Sequence, residues 1–321
     1  MPPKSGRNKW INRIVITFLL IAVIGITGCG KEVEGSHKPI VFGATYMTRN
    51  NVFFDELHAA IEEVVESNGD ILISRNPCQD QEKQNEQILE MIDEGIQVLF
   101  LNPVDWEAVK PALEACKEAG VVIIDVDTVV KDTDYVVSII ETDNYLAGKL
   151  CAEHMMSHMD SARIVVIDNP IQTSITNRVQ GFLDTIESHD EYEVVYTGTG
   201  AGELEVSAKV MAEFLEKEIP FDVVLGGNDP SALGALATLQ QFGRDNDVRI
   251  YGIDGSPDFK AMLALGYVTG TSAQSPKTIG TVAAETAYQY LEGQEVPSYI
   301  SIEPHLITKE NLREYEVNGW Q

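Results

Sequence analysis

The chain has 321 residues, 23 Lys and Arg against 50 Asp and Glu, and a formal net charge of −27. A surface this acidic repels phosphate backbones and anionic headgroups, which excludes nucleic-acid binding and peripheral electrostatic attachment to membranes. With 44% hydrophobic residues the chain can bury a sizeable core, and its length suits two lobes better than one.

Residues 1–28 read as a removable leader. Lys4, Arg7, Lys9 and Arg13 make a positive start, and 14–26 is almost wholly apolar. That run is short for a membrane span and has the length of a signal-peptide core. It ends in Ile26-Thr27-Gly28-Cys29, which resembles a lipobox, so Cys29 is the expected lipidation site and new N-terminus. Cleavage there removes four positive charges and moves the net charge from −27 to −31. Residues 29–38 form a polar tether. Past Cys29 only Cys78, Cys116 and Cys151 remain, and an odd count with no CxxC pair is no disulfide framework. Cys116 continues the apolar series Val109, Leu113 and is expected in the core.

From Pro39 onward β-branched runs alternate with amphipathic stretches. Strands are predicted at 40–45, 71–75, 98–102, 121–126 and 135–140. Leu57, Ile61, Val64 and Val65 give the first intervening helix one apolar face. Gly69, Gly95 and Gly120 are placed to close the first helices in the left-handed cap conformation. Beyond Asp143, strands are predicted at 163–167, 193–198, 223–226, 248–254, 268–274 and 299–303. Helices are predicted at 144–158, 173–188, 204–218, 230–242, 257–265 and 277–291, with a short one opening at Thr308. Repeated strand–helix units argue parallel sheets with right-handed crossovers, and this many strands argue two α/β lobes.

In open parallel sheets ligands bind beyond the carboxyl ends of the strands. The polar and aromatic residues there are Asn50, Asn51, Phe53 and Phe54 after the first strand, then Asp125, Asp127 and Thr128 after the fourth. Further on come Gln172, Thr173, Ser174 and Arg178, then Asn228, Asp229, Asp254 and Gln274. Carboxylates accept from hydroxyls, arginine donates as a fork and carboxamides do both, which is the chemistry a sugar's hydroxyls need. An aromatic ring can cover a sugar's C–H face. Asp105 in Asn102-Pro103-Val104-Asp105 reads instead as a helix cap.

Residues 38–316 resemble the ribose/galactose-type periplasmic binding proteins, the type I sugar-binding clamps of ABC importers. The matching stretches include Asn50 to Phe54, QEKQNEQ at 81–87, LNPVD at 101–105, TDN at 142–144, NDPSALGAL at 228–236, YGIDGSPD at 251–258 and AQSP at 273–276. Each is weak alone, but their joint order is specific. The resemblance implies an α/β fold of two doubly wound parallel-sheet lobes, 39–142 with 275–303 and 143–274 with 304–321, joined by three hinge crossings. It implies that Asn51, Asp127, Arg178, Asn228, Asp254 and Gln274 meet the ligand, with Phe53 and Phe54 supplying rings, while Thr128 and Ser174 join the expected site from their strand-end positions. Ribose binders carry an arginine where Thr128 stands and an aromatic residue near Gly202, so ribose itself is not implied. Tyr46 and Trp106 are further candidates for the pocket, each with a packing role as the plainer reading.

The expected protein is a lipid-anchored, non-catalytic monomer on the outer face of the cell membrane, without cofactor or metal. It would capture a monosaccharide or polyol and deliver it to an ABC permease. A sensor feeding a chemoreceptor or kinase is the alternative, and a lipid-anchored hydrolase a weaker one. His154 and His158 have metal-ligand spacing but no third partner. Gly198, Gly200 and Gly202 miss the GxGxxG spacing by one position. An open cleft would leave the site's charged groups hydrated, so their removal is expected to spare the fold.

Overall fold

The computed structural model describes residues 38–321. The leader 1–28, Cys29 and the tether up to residue 37 lie outside the described residues. The first half runs β1 (Val41–Thr45), α1 (Val52–Ser67), β2 (Ile71–Arg75), α2 (Gln81–Asp93), β3 (Val98–Leu101), α3 (Lys110–Ala119), β4 (Val122–Val126) and β5 (Ser138–Thr142). The second begins α4 (Asn144–His158), β6 (Ala162–Asp168), α5 (Thr173–Ile186), β7 (Tyr192–Thr199), α6 (Leu204–Leu215) and β8 (Val223–Gly226). It continues α7 (Asp229–Gln241), β9 (Arg249–Asp254), α8 (Pro257–Leu265) and β10 (Gly270–Ala273). The chain finishes with α9 (Pro276–Leu291), β11 (Tyr299–Ile302) and β12 (His305–Thr308).

These strands form two six-stranded sheets, ordered β11-β5-β4-β3-β1-β2 and β12-β10-β9-β8-β6-β7. The first is parallel throughout, and in the second only β12 runs antiparallel, against β10. Helices cover both faces of each sheet, which is why β3 and β8 are buried at every position. The chain crosses between sheets after Thr142, after Ala273 and after Ile302. Two α/β lobes, argued from the sequence pattern, are found, and so are the three crossings that the resemblance implies.

Local chemistry sets the helix ends that matter for the site. Asn51, Asp143, Asn228 and Ser256 each accept a backbone N–H in the first turn of α1, α4, α7 and α8. Gly69, Gly95 and Gly120 follow α1, α2 and α3 with φ of 77°, 88° and 73°, the left-handed conformation expected of them. Cys116 is fully buried beneath the first sheet. Asp105 does not cap α3, whose N-cap is Val109; its Oδ1 accepts from the backbone N–H groups of Glu107 and Ala108 in the turn that precedes the helix.

Two further expectations are corrected. No helix opens at Thr308: residues 305–308 form the antiparallel edge strand β12. The Thr308 N–H donates to Asn311 Oδ1, and Asn311 Nδ2 donates to the Leu306 carbonyl, so a side chain closes the turn that a helix would have used. The strand predicted at 135–140 is displaced to β5 by a 3-10 turn over Thr133–Tyr135.

Candidate functional site

The carboxyl ends of both sheets face one another around a cavity of about 520 Å³. It is lined by nine of the ten expected binding residues: Asn51, Phe53, Phe54, Asp127, Ser174, Arg178, Asn228, Asp254 and Gln274. The lobes touch around it. Gln79 Nε2 donates to Glu203 Oε1 at 2.7 Å, Thr173 Oγ1 donates to the Val129 carbonyl at 3.0 Å, and the Thr128 and Ser174 hydroxyls hydrogen-bond at 2.9 Å. In the described conformation the two lobes are in contact at the mouth of the cavity. Thr128 is outside the lining. It sits behind Asp127 and acts as a cross-lobe tie rather than a wall.

Arg178 is the centre of the site. It lies on α5 with 3% of its side chain exposed, NH2 3.9 Å from Asp127 Oδ1 on the first lobe and NH1 3.5 Å from Asp254 Oδ1 on the second. Its Nε donates to Asn144 Oδ1 at 2.7 Å and NH1 donates to the Gly227 carbonyl at 3.1 Å. Those partners belong to the second sheet's own layer, so the arginine is built into that lobe whether or not a ligand is present. Its removal is therefore expected to disturb that lobe as well as the site, against the expectation from sequence.

Asp127 follows β4 with φ 67°, a left-handed conformation that non-glycine residues adopt at a cost on the order of 1 kcal/mol. Asn102 Nδ2 at 3.0 Å and the Thr128 hydroxyl at 3.2 Å, both on its own lobe, hold Oδ2, while Oδ1 faces Arg178 across the cleft. Burial raises the Asp127 pKa, and Arg178 opposes the shift. Asp254 closes β9. Its Oδ1 accepts from Gln274 Nε2 at 2.7 Å, while the buried Asp254 Oδ2 and Gln274 Oε1 have no protein partner. Burial raises the Asp254 pKa, again against Arg178.

The carboxamides are partly committed to capping. Asn51 Oδ1 accepts from the Phe53 N–H, leaving its amide nitrogen toward the cavity. Asn228 Oδ1 accepts from Ser231 and its Nδ2 donates to the Gly202 carbonyl, leaving one N–H. Phe53 and Phe54 pack edge to face at 5.3 Å, and Phe54 is backed by Tyr46 at 5.8 Å. Tyr46 is fully buried and outside the lining, so it supports the aromatic wall from the core. Trp106 also stays out of the lining, with Lys131 Nζ over its ring. Near Gly202 the wall is aliphatic, made by Leu204.

Sequence reasoning missed several contributors. Gln79 clasps Glu203, and Trp320 packs edge to face on Phe53 at 5.7 Å. Glu141, at the end of β5, accepts from Asn144 Nδ2 at 2.7 Å and from the Tyr299 hydroxyl at 3.0 Å, joining the first crossing to the Arg178 network. Polar residues at strand ends were the available signal for Asn102 and Glu141. No local pattern marks Trp320. Among the described residues no cluster of His, Cys, Asp and Glu could hold a metal, and no helix is long and apolar enough to cross a membrane. His154 stacks on His158 and hydrogen-bonds the Tyr251 hydroxyl at 2.8 Å.

Burial pushes the Glu141 carboxyl up to about 7. A carboxyl raised in the folded state binds protons that the unfolded chain has released, so its effect on stability is most favourable at low pH and fades as pH rises toward 7. The penalty is on the order of 3 kcal/mol by pH 8. His58 and His154, lowered by burial, pull the other way below their ordinary value, so Glu141→Gln is needed to isolate the contribution of this carboxyl. The wild-type melting temperature should fall relative to that of Glu141→Gln between pH 5 and pH 8. A constant difference would contradict the placement of Glu141.

Comparison with known proteins follows the same lines. Residues 42–295 match the family described as periplasmic binding protein domain. The ribose import binding protein of Bacillus subtilis is 26% identical over 301 residues, covering 91% of this chain and 97% of its own. That of Escherichia coli is 28% identical over 265 residues, covering 82% and 88%. An ABC transporter solute-binding protein from Bacillus halodurans, solved with myo-inositol, superposes with a TM-score of 0.82 at 25% identity, covering 89% of this chain and 100% of the other.

Proposed function

We infer from its site that this chain, which belongs to the periplasmic binding protein domain family, captures a monosaccharide or related polyol for an ABC importer. Its relatives are solute-binding proteins rather than enzymes. The observation that carries the reading is Arg178, held between Asp127 of one lobe and Asp254 of the other in a cavity that both lobes close. A ring of hydroxyls would exchange hydrogen bonds with all three while Phe53 and Phe54 cover a C–H face. The ten residues named from the sequence are the proposed site, Thr128 acting through Asp127 and Ser174. The moving bodies are 39–142 with 275–303 and 143–274 with 304–321.

A monosaccharide of about 12 heavy atoms at roughly 0.7–0.8 kcal/mol each would bind near or below micromolar. That affinity scavenges and still releases. Anchoring by lipid at Cys29 places a monomer at the outer face of the membrane beside its permease, supported by the apolar core and lipobox-like run at 26–29. The experiment has two arms. A thermal-shift panel of pentoses, hexoses and inositols should raise the melting temperature for at least one ring, by about 2.7 kcal/mol of stability at a hundredfold excess over Kd, with the ring recovered intact. Cells fed labelled fatty acid should label wild type and not Cys29→Ser. Turnover of the ring would favour a hydrolase, and labelling of Cys29→Ser would contradict the anchor.

A further inference from the structure

The charge in the cavity is unbalanced. Five carboxylates line it, Asp127, Glu203, Glu205, Asp254 and Asp258, and among the described lining residues Arg178 is the one cation. Arg178 is already engaged by Asn144, the Gly227 carbonyl and the two buried aspartates. Behind Asp254 lies Asp229, fully buried, its oxygens taken by the Ser256 N–H and the Thr271 hydroxyl. Arg178 and, on the far side of Asp229, the buried Lys260 ammonium therefore face three buried carboxylates, and at the cavity itself the guanidinium stands alone against Asp127 and Asp254. Burying charge without compensation is costly, and the deficit has to be met by protons or by whatever the cavity receives.

The position of the deficit is equally specific. Asp254 and Gln274 are each 2% exposed and line the cavity, yet Asp254 Oδ2 and Gln274 Oε1 have no protein partner. Gln274 spends its nitrogen on Asp254 Oδ1, which fixes its oxygen as the free end. The corner thus offers two open oxygens, one of them on a carboxyl whose pKa burial raises, so a cation arriving there would take the place of a proton. A hydroxyl brings one hydrogen there, whereas an ammonium brings three and cancels charge, and ionised hydrogen bonds are roughly twice as strong as neutral ones. Glu205 and Asp258, exposed at the rim, add a field that draws cations in and turns anions away.

We propose that the ligand is a polyhydroxylated ring bearing a protonated amine, an amino sugar or aminocyclitol, with its ammonium against Asp254 Oδ2 and Gln274 Oε1. This rests on the capture reading above and names its ligand class. Phosphorylated and carboxylated sugars are excluded by the same charge.

Calorimetry on the full chain near neutral pH tests it with D-glucosamine, D-galactosamine and an inosamine. Each is titrated against its parent ring and its N-acetyl derivative, with D-ribose 5-phosphate as the anion. At least one amine should bind about tenfold or more tighter than both of its neutral counterparts. Asp254→Asn, which keeps the shape and removes the charge, should shrink that ratio to within about threefold. Neutral rings that bind as well as their amines, or binding of the phosphate, overturn the amine while leaving capture of a ring intact. Failure of every ring, charged or neutral, overturns the capture reading and this proposal with it.

Discussion

Replacing Arg178 with alanine is expected to cost the protein both its ligand and part of its fold. The guanidinium is buried, spans the two aspartates of the cleft and also bonds Asn144 and the Gly227 carbonyl inside its own lobe. Removing it leaves Asp254 as a buried carboxylate beside Asp229 with no cation, and removing one partner of a buried pair costs about 3–5 kcal/mol. Uptake of a proton by Asp254, whose pKa is already raised, would offset part of that. Binding should weaken by at least about 2 kcal/mol, since ligand hydroxyls and Asp127 lose a charged partner together. Asp254→Ala should weaken binding comparably while disturbing stability less, because it removes a charge that burial already opposes. Calorimetry and thermal unfolding measure the two effects separately. Losses under about 0.5 kcal/mol for binding in both variants would contradict the site assignment.

Gly148→Ala is expected to be the most damaging small substitution outside the cavity. A Cβ on Gly148 would fall onto the Arg178 carbonyl oxygen, far inside van der Waals contact, and one on Gly181 would fall onto the Tyr145 carbonyl. The two glycines let α4 and α5 cross with their backbones touching. A clash with backbone cannot be relieved by a rotamer change, so the helices must part. Overpacking costs typically 1–3 kcal/mol, and this case belongs at or above the upper end. For a chain of this size that corresponds to a fall of roughly 5–10 °C in melting temperature. Because α5 carries Ser174 and Arg178, ligand affinity should fall with it. Gly69→Ala is the control: no atom lies within 4 Å of its added Cβ, so only its φ of 77° resists, at about 1 kcal/mol. Equal melting temperatures for the two variants would contradict the close crossing.

The fold was legible because alternation of β-branched runs and apolar helical faces persists along the whole described chain. Helix α4, predicted at 144–158, is found there, and α8 likewise. What failed was local. Thr308 with Lys309 and Glu310 has the composition of a helix start, yet Asn311 folds back on Thr308 and Leu306 and spends the backbone groups a helix needs. At the site, strand-end position picked out most of the residues that face the cavity, since chain topology puts them there, but it also picked Asp125 and Asp229, which are buried away from the lining. It could not say which of them are spent on neighbours. Thr128 turned out to brace Asp127, and Asn228 gives two of its hydrogen bonds to capping and a loop carbonyl. Nor could it find Trp320, whose contact with Phe53 joins residues 267 positions apart and exists only once the chain has folded.

The central claim is that ligand holds the two lobes together. Asn51 and Asp127 approach from one lobe, Arg178, Asn228 and Asp254 from the other, and Gln274 stands at a crossing between them. A ligand touching both sets gains contacts in the closed form that the open form lacks, and that difference is what shifts the population. Solution X-ray scattering with and without a saturating concentration of the tightest-binding ring measures this directly. The account predicts a smaller radius of gyration with ligand, approaching the value calculated from the arrangement described above, with the lobes in contact. Superimposable curves with and without bound ligand would contradict it.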